Sequence, residues 1–325
     1  MKLANILGSL LFSIPCFAQF APQVGIAGTT AIHKDSSIII NWAKACVLNR
    51  GWQNIADITL GRAQVGDETF VPGPAGNGIV SLGDGGQAIV TFEKPIKNGI
   101  GADFAIFENG FIDQTLNPGT AFLELAFVEV SSDGIHYFRF PAQSMVNSNS
   151  QIQSFEGINA SQIDNLAGKY LANYGTPFDL AALDTIVGLD IDKITHVKII
   201  DVVGSIDTQY ARRDNNQNIV NDPWPTPFAS SGFDLDAVGV IHQNDAVGLS
   251  ETTSINKVII FPTPALVGET ITVKTKPGSN LQLADANGIV VMKTTANDLL
   301  FTFSVIKAGI YFFCVDNHYY KLTIQ

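Results

Sequence analysis

Two aspartates late in the central part of the chain, Asp234 and Asp236, stand two residues apart in Gly232-Phe-Asp-Leu-Asp-Ala-Val-Gly239. On a strand, residues two apart point to one face, so the spacing predicts two carboxylates side by side. Like charges that close repel unless water or a cation separates them. A hard cation such as Ca2+ gathers roughly six to eight oxygens from carboxylates, amide side chains and carbonyls. Asp103, Glu108 and Asn109, in Asp103-Phe-Ala-Ile-Phe-Glu-Asn109, put further oxygens at a second strand edge. These five residues form a candidate calcium site. The plainer alternative is that they cap turns and hold strand ends. Asp214, Asn216 and Asn218 also alternate as in a calcium loop, but Ile219 stands where the sharp turn needs Gly and Pro225 where the bidentate acid belongs. That segment is expected to be an exposed turn.

The second candidate is a ligand contact. Trp224 lies between Pro223 and Pro225, whose rings fix φ and stiffen the loop. A stiff loop loses little entropy on binding, and the indole offers a flat apolar face with one donor. Tyr210, Arg212 and Phe228 flank it and could add stacking and charge contacts, and Tyr174 sits in a similar loop, Asn173-Tyr-Gly-Thr-Pro-Phe-Asp179. A Trp in such a loop packs equally well onto its own domain.

Signs of catalysis are thin. No phosphate-binding glycine loop, HExxH or GxSxG pattern occurs, and His33, His136, His196, His242 and His318 show no ligand spacing. A glycosidase needs two carboxylates at a defined separation, which spacing along a chain does not supply. The expectation is a binding protein, with a calcium-dependent polysaccharide hydrolase or a carbohydrate-binding module as the alternative.

Short alternating runs between Gly- and Asp-rich turns must position these groups, among them residues 87–92, 103–107, 123–130, 197–203 and 237–241. They predict a mainly β protein, a jelly-roll β-sandwich, with insertions between residues 144 and 183. One helix is expected over residues 38–48, capped by Asp35-Ser36-Ser37 with Ile39, Trp42, Ala43 and Cys46 on one stripe, and a second short one over 159–169. A polar link (245–255) leads to a small Ig-like β-sandwich over 256–325. Of 325 residues, 46% are hydrophobic and 15% charged, and 19 Lys+Arg against 30 Asp+Glu give a net charge of −11. An acidic globular chain of this kind disfavours nucleic acid, since phosphate contacts need clustered Lys and Arg. Cys46 and Cys314 fall in different domains, so no disulfide is expected.

The chain begins Met1-Lys2, continues with an apolar stretch over 6–17, and carries small residues suited to cleavage before Gln19. That predicts a signal peptide over residues 1–18 and no transmembrane segment. Pro15 stands before Cys16 where a lipobox carries a small residue, which argues against lipidation. Near the C-terminus, Val258-Ile-Ile-Phe-Pro262, the Asp285 to Gly288 hairpin, Gly309-Ile-Tyr311 and Lys321 closely resemble the sorting domain of the Bacteroidota type IX secretion system, with Thr263 where an Asn is usual. In the central domain, Ser81-Leu-Gly-Asp-Gly-Gly-Gln87, residues 103–109 and 128–134, Leu166-Ala-Gly168, Phe178-Asp-Leu180 and residues 232–238 resemble a secreted jelly-roll family similar to carbohydrate-binding modules, and surface proteins linked to vitamin B12 capture. The resemblance implies a protein at the outer cell surface that meets the type IX machinery, binds a small ligand or glycan, a corrinoid in preference to a glycan, and works beside a TonB-dependent transporter.

Overall fold

The computed structural model describes residues 20–112, 117, 119–244, 258–316 and 318–325; the expected signal peptide and the polar link lie outside them. The chain divides into two compact units, Met1–Asp245 and Ala246–Gln325. Both are β-sandwiches, so the fold is mainly β as the alternation predicts. No helix among the described residues is long and apolar enough to cross a membrane.

In the larger unit one sheet runs Ile32–His33, Tyr174–Phe178, Phe104–Glu108, Asp234–Val240, Asn41–Trp42, with Val80–Ser81 also pairing the Asp234–Val240 strand. The other runs Ala45–Asn49, Gln87–Ile96, Ile194–Asp201, Ala126–Ser131, Phe138–Arg139, and every pairing in both sheets is antiparallel. Period 2 decides what lies between them. Phe104 and Ile106 from the first sheet meet Val128, Val130, Val197 and Ile199 from the second in one buried cluster. The alternate residues of the Phe104–Glu108 strand, Ala105 and Phe107, turn outward into a second cluster with Ala237, under Trp42. The first sheet is therefore covered on both faces, which is why its central strands are apolar without interruption.

Insertions do occupy the long gap, and they cover the outer side of the second sheet. Phe127 faces them, packed among Leu123, Leu125, Ile158, Ile163 and Leu166. Two of the sequence expectations fail here. Residues 38–48 are not a helix: Asn41–Trp42 joins the first sheet, Ala45–Asn49 joins the second, and the chain crosses between them at Ala43 and Lys44. Ala43 N–H donates to Val238 O at 2.9 Å and Lys44 N–H to Thr91 O at 2.8 Å, so both sheets claim the backbone. Cys46 and Leu48 pack on the core while Ala45, Val47 and Asn49 face outward, a period of 2 that overrides the helical stripe. Residues 159–169 hold only a single 3-10 turn, Ala160–Gln162, capped by Asn159, before Ile163–Asp164 pairs with Gln143–Ser144.

The smaller unit packs a three-stranded sheet (Ile259–Phe261, Thr270–Lys274, Leu300–Ser304) with a four-stranded one (Val290–Thr295, Asn280–Asp285, Gly309–Val315, His318–Ile324). Ile271 and Val273 meet Leu281, Leu283, Phe313 and Leu322 in its core. Its Asp285 hairpin is held by that side chain, which accepts N–H bonds from Asn287 and Ile289 at 2.9 Å each, and Gly288 adopts the left-handed φ of 81° that the turn requires. Both cysteines are free, Cys46 in the larger unit and Cys314 in the smaller.

Candidate functional site

Most of the acidic residues in the larger unit are fasteners. Asp201, at the end of a strand in the second sheet, accepts three backbone N–H bonds: Gly85 at 2.8 Å, Val203 at 2.8 Å and Phe233 at 2.9 Å. It thus stitches the turn before one strand of its own sheet to the residue that precedes Asp234–Val240 in the other. Asp222 accepts from Leu125 N–H at 2.8 Å. Asp214 accepts from Ser144, Asn216 and Asn218 N–H at 2.8–2.9 Å. Its loop is an exposed turn over residues 215–218, as the sequence predicts, while the Asp214 side chain itself is buried because it closes that turn and holds a neighbouring strand.

The five metal candidates do not form one group. Asp103 accepts from Gly99 and Leu180 N–H at 2.7 Å each and pairs with His242 Nδ1 at 2.8 Å. Asp236 grips Gly76 N–H with both oxygens, at 2.8 and 3.0 Å. It shares no hydrogen-bond partner with Asp234, and the register shifts between Leu235 and Ala237 around it. Glu108, Asn109 and Asp234 do come together. Asp234 accepts from Ser81 Oγ and from Asn109 Nδ2, the latter at 3.0 Å. Among the described residues, no three of His, Cys, Asp and Glu are grouped so as to hold a metal ion.

Of the ligand candidates, Trp224, Tyr210 and Arg212 come together, and Tyr174 and Phe228 lie elsewhere. Trp224 is half-buried, its one donor engaged by Asp84 Oδ2 at 3.0 Å and its ring tilted against Tyr210 with centroids 6.2 Å apart. Arg212 is exposed beside them. Tyr174 sits in the first sheet, edge-on to His33 at 5.0 Å. Phe228 lines a pocket beside Asp234.

That pocket, of about 190 Å3, has a polar floor and an aromatic rim. Asn109, Glu124, Asp234, Ser154, Thr226 and Ser230 supply the polar groups, and Phe111, Phe122, Phe155 and Phe228 the rings. Phe111 stacks on Phe122 at 4.9 Å, and Phe155 meets Phe228 at 5.8 Å. Phe111, Phe155 and Phe228 are 46%, 67% and 44% exposed, a cluster of apolar surface that folding alone does not need. Among the described residues, no Lys, Arg or His lines the pocket.

Glu124 differs from every fastening aspartate. It is 4% exposed, and its carboxylate has no hydrogen-bond partner among the described residues. Behind it, Glu108 holds Gly110 N–H at 2.8 Å with one oxygen, and its other oxygen is buried without a partner. Burial, then the charges of Asp234 and Glu108, push the Glu124 carboxyl well above the usual range. Burial and the charge of Asp234 do the same to Glu108. Asp234 is raised to about 6, chiefly by burial. Glu124, Phe111, Phe122 and Phe155 were not anticipated from the sequence. A signal for Glu124 exists: it stands between Leu123 and Leu125, which bury together in one cluster, so alternation turns it to the opposite side.

The chain matches no family model and no curated protein sequence. Solved structures to which it is similar include a β-glucuronidase from Ruminococcus gnavus (12% identity, 78% of this chain and 39% of that one, TM-score 0.18). A β-1,2-glucanase from Parabacteroides distasonis shows 10% identity over 89% of this chain and 38% of that one, TM-score 0.22. PorZ, a surface component of the type-IX secretion system of Porphyromonas gingivalis, shows 8% identity over 76% of this chain and 38% of that one, TM-score 0.21. The chain spans less than half the length of each, and likenesses this distant carry no activity over to it.

Proposed function

We propose that the larger unit is a non-catalytic, extracellular glycan-binding module, exported through the type IX route that the smaller unit's sequence features imply. The observation that carries the binding reading is the pocket itself: three exposed Phe rings around a floor of hydroxyl, amide and carboxyl groups. A pyranose presents C–H faces to aromatic rings and hydroxyls to polar groups, so both halves of the lining have a use. A pocket of about 190 Å3 suits one sugar ring. It lies below the roughly 300–1,000 Å3 of sites that enclose larger organic ligands, which disfavours a corrinoid at this position.

Titration with an oligosaccharide panel should give saturable binding, weakened about tenfold or more by Phe228→Ala, the value of one good stacking contact. Trp224→Ala should leave the affinity within about twofold while lowering stability, because its indole faces Asp84 and Tyr210 rather than the pocket. Unchanged affinity in Phe228→Ala would remove the pocket from the account. A hydrolase reading draws on one feature, two carboxyls of raised pKa in one pocket, Glu124 and Asp234. Product release from a polymer, abolished by Glu124→Gln, would establish it instead.

A further inference from the structure

The Glu124 pocket gathers carboxyl groups with no basic group opposite them among the described residues. Among the described residues Glu124 has no hydrogen-bond partner, one Glu108 oxygen has none, and no basic residue lines the space. Elsewhere in this unit buried acids are answered by backbone N–H groups, as at Asp201 and Asp214. A buried carboxylate left bare is costly, so the site must take up a proton, a metal ion or a cation carried by the ligand. The donor set argues against a resident metal, since no three acidic or metal-binding side chains are grouped to hold one among the described residues. The rim argues for an organic cation: a metal ion has no use for phenylalanine rings, whereas an ammonium group is attracted to aromatic faces and donates N–H bonds to carboxylates.

We infer that the pocket recognises a ligand-borne ammonium group, seated on Glu124 between the Phe111/Phe122 and Phe155/Phe228 ring pairs, which on the glycan reading proposed above makes the ligand an amino sugar with a free amine. The amine's positive charge meets Glu124, with Asp234 and Asn109 alongside to receive neighbouring hydroxyls. An N-acetylated sugar brings an amide in place of the cation and leaves the carboxylates as bare as before.

The test is calorimetric titration of the intact protein at neutral pH with a glucosamine trisaccharide, an N-acetylglucosamine trisaccharide and choline, a non-sugar ammonium. The inference expects the free-amine sugar to bind at least about tenfold more tightly than its acetylated form. Glu124→Gln, which keeps the shape and removes the charge, should abolish that preference by weakening the free-amine sugar at least about tenfold, to the level of its acetylated form. Asp234→Asn serves as an independent second variant and should narrow the preference in the same direction. Equal binding of both sugars overturns the ammonium inference and leaves the glycan reading standing. Binding of choline with neither sugar supports the ammonium and overturns the glycan. Binding of none of the three overturns both. A rise in melting temperature on adding Ca2+ alone, lost in Glu124→Gln, would show that the counter-charge is a metal ion and would also overturn the inference.

Discussion

Asp201→Ala should destabilise the larger unit by about 3 kcal/mol or more, because it leaves three buried backbone N–H groups without an acceptor and each such loss costs about 1–3 kcal/mol. For a domain of this size that is a fall in melting temperature of roughly 6–12 °C. The three donors explain why the effect is large. Gly85 opens a strand of the second sheet, Val203 begins the long connection after Asp201, and Phe233 delivers the chain into Asp234–Val240 of the first sheet. One carboxylate therefore fixes where both sheets start at this end of the sandwich. Thermal unfolding of the variant at neutral pH measures it; a loss below about 1 kcal/mol would mean the three segments are held without Asp201.

The second large effect is on pH dependence. Asp84 is raised to about 7 by burial and by the charge of Asp201, and Asp201 and Asp234 to about 6, chiefly by burial. Glu108, Glu124 and Asp222 are raised well above their usual values, first by burial. Between its unfolded and folded pKa each of these groups binds more protons folded than unfolded, so unfolding free energy falls as pH rises through that window. The window opens near pH 4, where unfolded carboxyls titrate, and the groups with the smaller shifts complete it near pH 7. His196, lowered by burial, works the opposite way, but it is a single, modestly buried group. Stability should therefore be greater at about pH 5 than at about pH 8, by about 2 kcal/mol or more, a reversal of the usual preference for neutral pH. A set of melting curves across that range decides it. A flat or rising profile would mean that bound cations or water already neutralise the acidic end.

Much of the fold was legible because it depends on alternation. Runs such as 87–92, 103–107 and 197–203 became strands, since a residue pointing inward every second position is enough to choose strand over helix. Residues 38–48 were not legible. Ile39, Trp42, Ala43 and Cys46 fit a helical stripe, yet hydrogen bonds from Ala43 and Lys44 to strands far along the chain settle the segment as a crossing between sheets. The acidic fasteners were hidden for the same reason. The partners of Asp201 include Gly85, and that of Asp222 is Leu125, nearly a hundred residues or more away. The spacing of Asp234 and Asp236 does not disclose their different partners, since neither those partners nor the register shift leaves a mark in the sequence. The candidate site was half legible: Glu108, Asn109, Asp234 and Phe228 were anticipated, but under two different headings, a metal site and a ligand loop. The structure joins them through Glu124 and the rings contributed by residues 111, 122 and 155.

The central claim is that Glu124 is kept for a ligand and not for the fold, and equilibrium unfolding of Glu124→Gln at neutral pH tests it most directly. A group held at a cost to stability for the sake of binding should stabilise the protein when it is neutralised. The account predicts that Glu124→Gln is as stable as the parent or more stable by about 1 kcal/mol, the opposite sign to Asp201→Ala. A loss of more than about 1 kcal/mol would contradict it, for Glu124 would then be one more fastener whose partner holds the fold together.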